Sequence, residues 1–413
     1  MSQTLRKIKM EKVIALTREL IKIPSENPPG NERAVAEFIA EKLSNIGFSV
    51  MSYDYKPRRP NVVGLLPGLE KKPILMFNGH TDTVPVGEKS LWTADPFGAE
   101  IRNGKIYGRG ASDMKAALAA MISAAEAIVK AGVKLKGTLI ISCVADEEVT
   151  GFGTKSLIDR GYRANFAVIG EPTELKVQIA HKGVLRVRIT TKGKAAHASV
   201  PHKGINAIYK MSKACLALEK ISSQLMTKRH SLLGSPTITV STIKGGLAMN
   251  VVPDRCEITI DRRLIPGENP ENVKFEIDEL LSSLKKDDPQ FQVESEIIHI
   301  LEPSETSADE LIVRVAREAV AQITGKDPGA TGFPATCDMR FLVNQAKIPT
   351  IILGPGSLRQ AHVVDEYVEC QQVFDAAKIF ALIILKLLCA RRAPSSDCRC
   401  SNPPHHRLRS AHS

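Results

Sequence analysis

Residue types that can hold divalent metals and move protons are concentrated in a few short stretches of this chain. Phe77-Asn78-Gly79-His80-Thr81-Asp82 follows an apolar run that reads as a strand. Positions i and i+2 of a strand point to one face, so His80 and Asp82 can act together. A metal-binding histidine hands its other ring N–H to a carboxylate or carbonyl, a part open to Asp82. Further on, Cys143-Val144-Ala145-Asp146-Glu147-Glu148 sets three acids directly after an apolar strand. The C-terminal ends of strands are where open α/β sheets carry their sites. Packed carboxylates raise one another's pKa, a cost that a bound cation removes. Glu171, in Ile169-Gly170-Glu171-Pro172, also sits at a strand end, and His362 follows Gly354-Pro355-Gly356.

Gly108-Arg109-Gly110-Ala111-Ser112-Asp113 opens a long helical pattern. Two glycines before a helix invite a phosphate-loop reading. The third glycine of a dinucleotide fingerprint is missing, Asp113 stands in its place, and no strand ends cleanly before it. Taken singly, each stretch has a plain structural explanation. Asp113 reads as a helix N-cap, His80 and Asp82 as incidental strand residues, and the three acids as a solvated loop. Together they put two histidines and several acids at the ends of separate strands. Mixed nitrogen and oxygen donors suit zinc, cobalt or manganese, and carboxylates bridge two ions. Neither a His-Glu-x-x-His pair nor a Gly-x-Ser-x-Gly elbow occurs. A metal-activated water is then the expected nucleophile.

The elements that position these residues alternate. A helix is expected at about 5–23, then a turn at Pro28-Pro29-Gly30 and a second helix carrying Val35, Ile39, Leu43 and Ile46, stopped by Gly47. Strands read at 62–66, 74–77, 139–144 and 166–169, with a helix at about 114–131. This alternation argues for an α/β fold with a mostly parallel sheet sandwiched by helices. Near residue 183 the texture changes: strands at 184–189, 236–244 and 255–263 and helices at about 204–224 and 270–285 describe a small α+β unit. The α/β pattern resumes with a helix at 308–323, a strand at 349–353 and a helix at 371–389. The expected organisation is a catalytic, metal-binding domain of residues 1–182 and 300–390, an inserted domain of 183–299, and a disordered tail of 391–413.

With these motifs in this order, the chain resembles the dinuclear metallopeptidase-like deacylases typified by acetylornithine deacetylase and succinyl-diaminopimelate desuccinylase, from about residue 10 to 389. The resemblance implies that His80 binds one metal, Asp113 bridges both, Glu148 binds the other, Glu171 the first and His362 the second. It makes Glu147 the general base and Asp82 the carboxylate that orients His80. A cis peptide follows the family's bridging aspartate, here Asp113–Met114. The inserted domain is implied to be a lid and dimer interface. His197, in Gly193-Lys194-Ala195-Ala196-His197, matches the lid histidine that reaches the partner subunit's site; unaided, it reads as an exposed loop histidine. Asn250 and Arg263 match lid residues that hold the substrate, Arg263 rather than Arg262 because the family pattern is Asp-x-Arg. Thr336 and Asp338 match a loop beside the pocket. The implied activity is removal of an acetyl- or succinyl-type group from an N-acyl amino acid, with two zinc or cobalt ions, in a homodimer of amino-acid biosynthesis. A dipeptidase, a carboxypeptidase or a deformylase of an N-formyl heterocycle would use the same metal centre.

Composition excludes other classes. The chain has 413 residues, 43% hydrophobic and 24% charged, the balance of an ordinary globular protein of about two domains. The longest apolar run, 379–385, is too short to span a bilayer. The N-terminus reads as an amphipathic helix rather than a signal peptide. Eight scattered cysteines fit a reducing, cytoplasmic setting. The formal charge of +11 comes with one Trp and six Tyr, and its Lys and Arg are interspersed with acids. This suits attraction of anionic small molecules better than nucleic-acid binding. Part of the charge lies in the tail, where Cys398, Cys400, His405 and His406 fit no zinc module.

Overall fold

In the computed structural model, which describes residues 2–389, the apolar strands join in a nine-stranded sheet. Its centre is parallel and runs Thr138–Val144, Ile74–His80, Phe166–Ile169, Thr350–Ile352 across the sheet. These strands are near-continuous Ile, Leu and Val because helices cover both faces. The flanks are antiparallel. Arg59–Leu66 and Ser49–Lys56 extend one side; Val177–His181 and Ser304–Glu305 extend the other. Ala330–Phe333 pairs with Val177–His181 in parallel. The sheet is therefore mixed, parallel through its middle only.

Two helices bury most of their surface against this sheet. Ala116–Lys130 is alanine-rich and buried around nearly its whole circumference, since small side chains let neighbouring helices approach closely. Cys370–Leu388 contributes Val373, Phe380, Leu382 and Ile384 to the same core. A helix apolar on all sides belongs in an interior; no helix among the described residues is long and apolar enough to cross a membrane. The expected N-terminal helix is two, Ser2–Lys7 and Met10–Ile21. Lys9 is extended between them while Ile8 turns into the core. Arg33–Ile46 ends at Gly47, whose left-handed backbone (φ 105°) lets its N–H cap Leu43 and Ser44.

Residues 183–301 build a four-stranded antiparallel sheet in the order Thr237–Gly245, Arg255–Leu264, Gly183–Lys192, Gln292–Leu301. Helices Ala207–Leu225 and Pro270–Asp287 share a separate core with it, including Leu185, Val187, Leu218, Ile258 and Ile277. Arg255–Leu264 alternates buried and less buried positions along its length, the period of a strand with one covered face. Ion pairs span the strands: Lys192 with Glu294, and Arg188 with Glu257 and Glu296. Both helices start on an asparagine, Asn206 and Asn269, whose side chain accepts two backbone N–H groups. Such a cap contributes about 1 kcal/mol. The tail expected to be disordered, 391–413, lies outside the described residues.

Candidate metal centre

Parallel pairing brings three of the acidic and imidazole stretches to one edge. His80 ends Ile74–His80, Glu147 and Glu148 follow Thr138–Val144, and Glu171 lies two residues beyond Phe166–Ile169. All three strands are neighbours pointing the same way. Asp113 arrives from the turn that opens Ala116–Lys130 and does not cap that helix; Lys115 holds the cap position. Its peptide to Met114 is cis. A three-residue strand, Lys105–Tyr107, does end just before Gly108, too short to register in the sequence pattern.

Asp113 stands between two imidazoles. Its Oδ1 is 3.1 Å from His80 Nε2, and its Oδ2 is 3.4 Å from His362 Nε2. Each histidine has a second acid: Glu171 Oε1 is 3.9 Å from His80 Nε2, and Glu148 Oε2 is 3.0 Å from His362 Nε2. Single donor atoms of His80, Glu147 and Glu171 lie within 4.8 Å of one another, as do those of His80, Asp113 and Glu148. His80 is 1% exposed at its side chain and His362 53%, so one position is enclosed and the other faces solvent. His80 Nδ1 donates to the Asp82 carbonyl at 2.9 Å, while the Asp82 carboxylate is farther, at 3.6 Å. That carboxylate instead accepts the backbone N–H groups of Glu147 and Glu148, each at 3.2 Å, and the Asn27 amide.

The charges are mutually frustrated without a cation. Burial raises Glu147, and Asp338 raises it further. Burial and then Asp113 raise Glu148 and Glu171. Burial pulls the His80 imidazolium down, but bonds to Asp113 and Asp82 outweigh it, and its pKa ends well above the usual value. Hydrogen bonds to Asp113 and Glu148 raise His362 to about 10. Glu148 Oε1 is buried with no hydrogen-bond partner. A bridging carboxylate, two imidazoles, flanking glutamates and an unpaired oxygen fit a pair of divalent ions.

The remaining candidates have other partners. His197 is exposed; its Nδ1 accepts the Ser199 N–H at 3.2 Å and faces the Ser199 hydroxyl at 2.7 Å. The neutral ring then carries its proton on Nε2. Asn250 is exposed in the loop after Gly245, and its carbonyl accepts from Ala198. Arg263 is part-exposed and paired with Asp261 at 2.7 Å, whereas Arg262 is buried against Glu268. Thr336 donates to the Lys182 carbonyl at 2.8 Å. No hydrogen bond or ion pair among the described residues joins His197, Asn250 or Arg263 to the cluster. Asp338, the acid beside Glu147, is buried with neither carboxylate oxygen hydrogen-bonded, and its Oδ1 lies 3.8 Å from Arg340 Nη2. A cavity of about 1140 Å³ lies elsewhere, lined by Pro73, Leu311, Arg314 and Leu385, and none of the candidate residues lines it.

Sequence reasoning missed the supports. Asn27 only precedes the expected Pro28-Pro29-Gly30 turn, yet its amide nitrogen donates to both Asp82 and Asp146, each at 2.8 Å. Arg59 donates to Asp146 at 3.1 Å and pairs with buried Glu32. The one available signal was Asp146 itself, an acid in the same run as Glu147 and Glu148 with no role of its own.

Residues 76–386 match the family model described as peptidase family M20/M25/M40. Acetylornithine deacetylase of Proteus mirabilis is 32% identical over 94% of this chain and 99% of its own. N-formyl-4-amino-5-aminomethyl-2-methylpyrimidine deformylase of Halalkalibacterium halodurans is 29% identical over 93% and 96%. Among solved structures, aminopeptidase PepT from Bacillus cereus superposes with a TM-score of 0.76 at 22% identity, covering 92% of this chain and 98% of that one; this likeness supports the fold.

Proposed function

The chain belongs to peptidase family M20/M25/M40, hydrolases of amide bonds, and from that premise we propose that it removes an acyl group from an N-acyl amino acid. The observation that carries this reading is the Asp113 carboxylate, with a different histidine facing each oxygen. His80, Asp113 and Glu171 would hold one ion, and Asp113, Glu148 and His362 the other, zinc or cobalt in each case. Bound there, the ions supply Lewis acidity and make water nucleophilic at neutral pH.

The protein's own groups do the rest. Glu147 takes the proton of the attacking water and returns it to the leaving amine. Asp82 fixes the His80 ring through its carbonyl and the 147–148 loop through its carboxylate. His197, with its proton on Nε2, donates to the oxyanion. Arg263 and Asn250 clamp the substrate carboxylate, and Thr336 lines the approach. In this reading residues 1–182 and 300–390 are the catalytic domain. Residues 183–299 are the lid and the interface of a cytoplasmic homodimer, which brings His197 to its partner's site.

The test is hydrolysis by chelator-treated protein with and without zinc or cobalt. The panel is N-acetylornithine, N-succinyl-diaminopimelate, other N-acyl amino acids, a dipeptide and an N-formyl aminopyrimidine. Metal-restored turnover that favours an acyl amino acid supports the reading. Turnover of only the dipeptide or only the formyl compound would move it to those branches, both of which occur among similar proteins. Two bound metals without hydrolysis would overturn the substrate class.

A further inference from the structure

Arg109 and Glu366 are both nearly inaccessible, 3% and 1% exposed at the side chain, and they pair at 2.7 Å. Neither has a part in the chemistry above. What each holds is informative. Glu366 Oε1 accepts the N–H groups of Ser112, at 2.7 Å, and Asp113, at 3.0 Å. Its Oε2 accepts Gly110 N–H at 3.1 Å and Arg109 Nη1 at 2.7 Å. One buried carboxylate thus gathers four donors, three of them from the backbone of the turn that carries Asp113. Such saturation compensates a buried charge and fixes the geometry of whatever supplies the donors.

The other end of the pair reaches the loop that carries His362. Glu366 lies four residues beyond it. Arg109 Nη1 also donates to the Val363 carbonyl at 3.1 Å, one residue after His362. The guanidinium sits over the Trp92 ring, 5.1 Å from its centroid, and Trp92 is anchored by its own N–H to Val86 at 3.0 Å. His362 and Asp365 both adopt left-handed backbone, with φ of 66° and 56°. Non-glycine residues hold that conformation at a cost, so the surroundings must impose it. His80 has no such dependence. It ends a central strand, and its ring is set by Asp82.

We propose that the Arg109–Glu366 pair is the positioning device of the solvent-facing cation position, holding the His362 loop against the Asp113 turn so that His362, Asp113 and Glu148 share one ion. This rests on the two-metal reading above. The enclosed position shares Asp113 but takes its other two ligands, His80 and Glu171, from strand ends that the pair does not touch. Loosening the pair therefore disturbs one ligand of the enclosed position and two of the solvent-facing one, so the second affinity falls further than the first.

The experiment is metal titration of the full chain, by cobalt absorption spectra and by zinc equilibrium dialysis with elemental analysis, for wild type and Glu366→Gln. The amide keeps an oxygen for Ser112 and Asp113 but turns an NH2 toward Arg109 and Gly110. Wild type should take two ions. Glu366→Gln should bind the second about 10- to 100-fold more weakly, the effect of removing a partner that orients a ligand, and the first by a distinctly smaller factor. Arg109→Met removes the Nη1 that serves both Glu366 and the Val363 carbonyl and leaves the three backbone N–H groups on Glu366; it should show the same split, and it decides the matter if Glu366→Gln does not fold. Two ions bound at wild-type affinity, or both weakened alike, would overturn the inference while leaving the two-metal reading standing. Fewer than two ions on wild type would overturn that reading, and this one with it.

Discussion

A single nitrogen of Asn27 ties Asp82 to Asp146: its amide donates to both carboxylates, each at 2.8 Å. The two acids come from different strands, and between them they fix the acidic loop. Asp82 holds the backbone of Glu147 and Glu148, and Asp146 sits in left-handed backbone with φ of 69°. Asn27→Ala should therefore cost about 1–3 kcal/mol, the loss of buried donors from charged acceptors. Urea unfolding of the metal-free protein measures it. A change within a few tenths of a kcal/mol would mean that Arg59 and the loop N–H groups suffice.

Glu147 is assigned the proton transfers and not an ion. Glu147→Gln should then retain both metals while kcat falls by about 100- to 10,000-fold. Metal content by elemental analysis, taken with the rate, separates the two roles. A variant that is slow because it has lost a metal would make Glu147 a ligand, as its closeness to His80 and Glu171 allows.

Removing the metals should destabilise the fold. Glu147, Glu148 and Glu171 are buried together and raised in pKa, and a bound cation relieves that repulsion. At a metal concentration of about 100 times the dissociation constant, binding adds about 2.7 kcal/mol per site. Calorimetry with chelator and then with excess zinc should show a melting temperature that falls and recovers. An unchanged melting temperature would deny that metals are held here.

His181 gives a pH signature away from the metals. Burial lowers its pKa to about 4, while the unfolded chain keeps the ordinary value near 6.5. Between those values the unfolded state binds the extra proton, so stability is full above about pH 6.5 and declines as pH falls toward 4. The decline attributable to this group is about 3 kcal/mol. Unfolding of wild type and His181→Gln at pH 7, 6, 5 and 4.5 should show a stability difference that shifts in the variant's favour with acid. A difference independent of pH would mean the ring does not stay neutral in the fold.

Arg263 is paired with Asp261 at the surface of the inserted sheet. If it clamps a substrate carboxylate, Arg263→Ala should raise KM about 10- to 100-fold with a smaller effect on kcat, as loss of a charged hydrogen bond does. Steady-state kinetics on the best substrate of the panel reads it. An unchanged KM would take Arg263 out of the site.

What was legible in the sequence was local. His80, Glu148 and Glu171 announce themselves because each closes an apolar run, and a strand end in an α/β sheet faces the site. Asp113 needed the family pattern, since its turn alone reads as a helix cap. The supports escaped because their contacts cross large sequence separations: 254 residues from Glu366 to Ser112, 119 from Asn27 to Asp146, 87 from Arg59 to Asp146. No local spacing encodes such a pairing. The strands Val177–His181 and Gln292–Leu301 escaped for another reason. The first is only five residues long, and the second opens with polar Gln292, Glu294, Ser295 and Glu296 around Val293 before a bulge shifts its register.

The order of strands has a consequence for synthesis. Thr350–Ile352 is made late, yet it lies between Phe166–Ile169 and Val177–His181, which are made early. A nascent chain that has not reached residue 350 holds those two strands with facing edges unpaired, open to other chains. Residues 183–301, whose four strands pair only with one another, can finish on the ribosome well before. The main sheet then waits for its keystone, and chains cut short of residue 350 are the ones expected to aggregate.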